Sequence, residues 1–161
     1  FSTTRENCSM KKVIALIEEL ETKIPHSEKI NKTISAGSVD WHIHHCLLVG
    51  LQIIQAVEKS DPETYSWKFN MRKTLVYTLN KIPRGRAKAP ESVLPNEQMS
   101  AGEMKLTFEL LKTRLQVLKT LHPDNYFKHP SFGNLNVKAT IKMLKLHTKH
   151  HIGIINDIIR G

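Results

Sequence analysis

The segment Asn136 to Arg160, NVKATIKMLKLHTKHHIGIINDIIR, constrains this chain more than any other. Val137, Ile141, Leu144, Ile155 and Ile158 recur at helical spacing, so the segment predicts a helix with one buried apolar stripe. His147 and His151 interrupt that stripe. Helical positions four apart lie about 40° apart, so both imidazoles share the inward face. His150 falls about 60° from His147 and about 100° from His151, towards the flank. An i, i+4 histidine pair is the spacing by which one helix chelates one metal ion. It also suits two core histidines, each hydrogen-bonded to a neighbour. The pair leaves both readings open, and a third histidine elsewhere has to decide.

Three further long helices are expected. Lys11 to Lys23 carries Val13, Leu16, Ile17 and Leu20 on one face, and Pro25 ends it. Val39 to Lys59 buries Ile43, Leu47, Gly50, Ile54 and Val57, with Ser38 or Asp40 as its N-cap and Asp61-Pro62 as its stop. Ala101 to Leu121 has the clearest stripe, Met104, Phe108, Leu111, Leu115 and Leu118, and Ser100 with Glu103 forms a capping box at its start. Between the second and third lies an insertion. Residues 60–70 read as an aromatic-packed loop, Met71 to Asn80 as a short helix with Leu75 and Leu79 inward, and 81–100 as an irregular segment punctuated by Pro83, Pro90 and Pro95 that covers one end of the assembly. HPDNYFKHPSFGNLN reads as a turn-rich connection. The expectation is an all-α fold, a four-helix bundle with an insertion, in one domain over 1–161 with 1–10 as a frayed tail.

Composition narrows the partners. With 161 residues the chain is long enough for one full core. No run approaches the roughly 18 apolar residues of a membrane span, so no membrane partner is expected. The first dozen residues contain no apolar stretch of a signal peptide, although the chain does not begin with Met. Cys8 and Cys46 do not suggest a disulfide scaffold; with reduced thiols the expected location is cytoplasmic. The net charge is +9. Much of the excess lies in Met71 to Pro90, with Arg72, Lys73, Lys81, Arg84, Arg86 and Lys88 and no acid. RGRAKAP has no aromatic residue to stack a base, so a solvated basic loop is favoured over nucleic acid.

The third histidine comes from WHIHHC at the start of the second helix. Of His42, His44 and His45, the last shares a row with Trp41, Leu48 and Gln52, while the other two flank it as surface or supporting residues. Trp41 with His45-Cys46, Arg84-Gly-Arg-Ala-Lys-Ala-Pro-Glu, His129-Pro-Ser-Phe-Gly-Asn-Leu and His147-Thr-Lys-His-His151 together resemble the DinB/YfiT-like metalloprotein superfamily, and within it a bacterial subgroup. The set covers about 11–160; each motif alone is weak, while the ordered set is fairly specific. The resemblance implies a four-helix bundle holding one divalent ion through His45, His147 and His151. His42, His44 and His150 are surplus to that pattern and could compete as ligands.

Three neutral imidazoles suit Zn²⁺, Ni²⁺ or Fe²⁺ and leave a coordination position open to water or substrate. The resemblance allows a metal-dependent hydrolase or a low-molecular-weight-thiol transferase acting on a small molecule, anionic or thiol-bearing; a homodimer is compatible with it. A metal-binding bundle without catalysis, or a basic surface binding nucleic acid or another anionic partner, is the alternative. No general acid or base stands beside the histidines: Asp40 and Asp157 read as surface or capping charges and Glu103 belongs to its capping box. Cys46 reads as a small core residue rather than a nucleophile. His122 and His129 read as surface residues.

Overall fold

A computed structural model describes residues 2–85 and 91–161, with side chains from Cys8 onward. Arg86 to Pro90 of the basic segment lie outside the described residues. The chain is mostly helical with one small sheet: α1 (Ser2–Glu21), α2 (Val39–Lys59), α3 (Met71–Leu79), α4 (Ala101–Val117), β1 (Tyr126–His129), β2 (Gly133–Asn136) and α5 (Val137–Arg160). No helix among the described residues is long and apolar enough to cross a membrane. Helix α5 packs against α1 and α2, and α4 packs against the same two.

Local chemistry fixes the starts of α2, α4 and α5. The Ser38 hydroxyl accepts from the Trp41 amide at 3.2 Å and starts α2, so Ser38 and not Asp40 is its cap. Ser100 and Glu103 form the expected capping box of α4. Asn136 caps α5 by accepting from Ala139 N at 3.1 Å. Helix α1 differs from expectation: it begins at Ser2, so residues 2–10, expected as a tail, are helical, and Met10 is buried beside Val13, Ile17 and Leu20.

The core lies between the four long helices, where Ile43, Leu47, Ile54, Phe108, Leu115 and Ile155 are buried. Each such side chain contributes about 1.5–3 kcal/mol by leaving water. Gly50 belongs to this interface because a Cβ there would stand 2.8 Å from Leu111 Cδ1, which only an absent side chain allows.

The connection between α4 and α5 is more ordered than its prolines suggest. It forms an antiparallel hairpin pairing Phe127 with Leu135, both buried, and Gly133 takes the positive φ of 72° at its turn. Asn125 Nδ2 donates to Ser60 O at 2.8 Å and ties the hairpin to the end of α2.

The insertion departs from expectation at α3. Leu75 and Leu79 are 58% and 65% exposed, and Val76 is the buried residue. Tyr77 then donates its hydroxyl to Ala139 O at 2.6 Å, holding α3 against α5. Beyond α3 the insertion touches both helices that carry the histidines. Arg84 Nη1 pairs with Asp157 Oδ2 at 2.8 Å on α5, and Val93 lies against α2.

Candidate metal centre

His45 enters the interior from the second turn of α2, and His147 and His151 from the middle of α5. The two helices pack against each other, which brings together residues about a hundred positions apart. The ring centroids form a near-equilateral triangle: 5.1 Å for His45–His147, 4.9 Å for His45–His151 and 4.5 Å for His147–His151. One nitrogen from each ring lies within 4.8 Å of the others, so the three are close enough to hold one metal ion. Among the described residues no carboxylate or thiol joins that group.

The spacing can be tested against coordination geometry. Two nitrogens each about 2.0–2.1 Å from a tetrahedral zinc lie about 3.3–3.4 Å apart. His45 Nε2 and His147 Nε2 are 3.2 Å apart. That pair already has the spacing of two ligands on one ion, and the three rings together, with nitrogens within 4.8 Å, have to draw in to reach it.

The surroundings favour the ligand form of each ring. His45 Nδ1–H donates to Val93 O at 2.7 Å, which leaves Nε2 unprotonated and aimed at His147. Trp41 stacks on His45 with ring centroids 5.0 Å apart and planes 13° apart, fixing its orientation along the row that the sequence suggested. Burial pushes the pKa of His147 and His151 well below the ordinary histidine value, and neighbouring histidines push the same way. His45 is also lowered by burial, against the opposing effect of its bond to Val93. All three are neutral near pH 7, as a metal ligand must be.

The remaining candidates separate. His42 is buried, with Nδ1 2.8 Å from His151 Nδ1 and Nε2 2.9 Å from Ser35 Oγ, so it supports the cluster from outside. His150 sits on the flank of α5 beside the insertion, where a bond to the Ile82 backbone partly offsets the lowering by burial and by Arg84. His44 Nδ1 and Asp40 Oδ1 are both buried without a hydrogen-bond partner among the described residues. Asp40 is therefore not the surface or capping charge expected: burial raises its pKa, with His44 acting in the opposite direction. Asp157 is a surface charge, paired with Arg84. Cys46 is buried and its thiol is pushed up by desolvation, as befits a core residue.

His129 is also not the surface residue expected. It is half-buried, stacked on Phe132 at 4.3 Å, and its Nδ1 accepts from the amides of Ser131 and Phe132 at 3.0 and 3.2 Å. Burial lowers its pKa to about 4. It shapes the hairpin turn as a neutral ring. Sequence reasoning missed the Val93 carbonyl altogether, since a backbone acceptor 48 residues from His45 leaves no residue-type signal. Compared with protein-family models, curated proteins and solved structures, the chain matches none.

Proposed function

We propose that this chain is a four-helix-bundle metalloprotein of the DinB/YfiT-like kind. One divalent ion, Zn²⁺, Ni²⁺ or Fe²⁺, is held by His45, His147 and His151 with a position left for water or a small-molecule ligand. The observation that carries the proposal is the convergence of three neutral imidazoles from two facing helices, with His45 Nε2 and His147 Nε2 separated by a distance close to a tetrahedral edge. The pairwise packing of α1, α2, α4 and α5 supports the bundle.

When bound, such an ion supplies Lewis acidity: it lowers the pKa of a water or holds a thiolate. The chain's own residues hold the ligand rings. Trp41 and Val93 orient His45, and burial keeps the rings unprotonated. An open position would suit hydrolysis or thiol transfer on a small molecule, the two chemistries that the resemblance allows. Arg84, although paired with Asp157, lies close enough to His42 and His150 to oppose their protonation.

A non-catalytic metal-binding module is the second reading, favoured by the lack of a carboxylate beside the three rings among the described residues. The test is metal content of untagged protein beside a His147→Ala/His151→Ala variant. About one ion per chain is expected in the wild type and none in the variant. No binding of added Zn²⁺, Ni²⁺ or Fe²⁺ by the wild type overturns the proposal. In the Co²⁺-loaded protein, perturbation of the visible spectrum by azide or a small thiol supports an open position, and an inert spectrum favours the second reading.

A further inference from the structure

The surplus histidine of WHIHH has a task that the ligand set does not describe. His151 has two ring nitrogens, and its Nδ1 faces His42 Nδ1 at 2.8 Å. The nitrogen left for an ion is Nε2. A neutral imidazole carries one proton, so a His151 that offers Nε2 carries that proton on Nδ1. It then donates to His42 Nδ1, which must be bare. The His42 proton is thereby placed on Nε2, from which it donates to Ser35 Oγ at 2.9 Å. Ser35 Oγ also accepts from the Gly37 amide at 3.2 Å, so the chain of donors ends on an oxygen anchored to backbone.

Every proton in the row is fixed once one end is fixed. His42 is 3% exposed, so water does not compete for these bonds. Trp41 meets it edge-on at 5.0 Å and holds its plane.

We propose that His42, anchored by Ser35, is a positioning residue that sets the tautomer and angle of His151 as a metal ligand. This rests on the proposed three-histidine centre. His151 then has the kind of partner that His45 has in Val93 O, supplied by a side chain. The first turns of α2 provide both a ligand and a partner for a ligand on α5. His42 is excluded as a competing ligand because its two nitrogens are already committed.

Asn and Gln distinguish positioning from mere filling of space. Asn places its oxygen near the location of Nδ1, where it accepts from His151, whereas Gln places its polar atoms nearer Nε2, on the Ser35 side. Zn²⁺ affinity would be measured by chelator competition for wild type, His42→Asn, His42→Gln and His42→Leu, with metal-free melting temperatures as folding controls. The expected result is a loss of about 10–100-fold for Leu and Gln and retention within a few-fold for Asn. If Leu fails to fold, the comparison of Asn with Gln carries the test. Nitrogen-15 NMR of the Zn²⁺ form is expected to show His151 protonated on Nδ1 and metal-bound through Nε2. Equal affinity in Asn and Gln, or metal on His151 Nδ1, overturns the assignment while leaving the three-histidine centre standing. A wild type that binds no metal overturns both.

Discussion

One constraint between α2 and α4 is a missing side chain, and Gly50→Ala tests it. The new Cβ would lie 2.8 Å from Leu111 Cδ1 and 3.2 Å from Cδ2. Ordinary carbon contacts begin near 3.5 Å, so Leu111 has to retreat by roughly 0.7 Å. Leu111 is buried and cannot swing into solvent. Overpacking of this kind costs about 1–3 kcal/mol. Against it stands the helix propensity of Ala over Gly, about 0.8–1.0 kcal/mol. The net expectation is a loss of about 1 kcal/mol, or a fall of about 2–4 °C in Tm for a chain of this size. Leu111→Ala alone should cost about 2–5 kcal/mol through the cavity it leaves. In that background the clash is gone and only the propensity gain remains, so Gly50→Ala should change sign and stabilise by up to about 1 kcal/mol. Urea unfolding of the four proteins in the presence of a chelator measures the cycle. Additivity within about 0.5 kcal/mol would refute the argument that Gly50 is there for Leu111.

Metal-free protein should lose stability as pH falls from about 6.5 towards 4, because the unfolded chain takes up protons on histidines near the ordinary value while burial holds His42 and His129 down to about 4. Each such residue steepens the slope by up to about 1.4 kcal/mol per pH unit within that window and has no effect above it. Unfolding at pH 7, 6 and 5 should show a shallower slope in His129→Phe, and an unchanged slope would count against a buried neutral ring. On α3, Leu75→Ser should alter stability by less than about 0.5 kcal/mol, whereas Val76→Ser should cost more than about 1 kcal/mol. The reverse order in thermal melts would mean that the helix presents its other face.

The pattern of α5 was legible because its inward face combines apolar residues with histidines at one helical period. The row that His45 shares with Trp41 was legible too, and the two rings are stacked. What failed were inferences in which tertiary packing decides. In α3 the leucines suggest the buried face, yet Val76 and Tyr77 make the contacts, since a nine-residue helix is oriented by its neighbours and not by its own composition. The hairpin was hidden because four-residue strands flanking Pro130 give too short an alternation to stand out. Asp40 looked like a capping charge because sequence shows its nearness to a helix start and not its burial. His42 was one of three neighbouring histidines until geometry gave it Ser35 on one side and His151 on the other.

The packing of α5 on both α1 and α2 has a consequence for synthesis. A chain made from its N-terminal end displays Val13, Ile17 and Leu20 of α1, and His45 on α2, before residues 137–160 exist to cover or meet them. The stripe on α1 is an adhesive surface for the whole of that interval. Assembly of the histidine triangle waits for the same event, so nascent chains halted before α5 should aggregate and should lack the proposed metal centre.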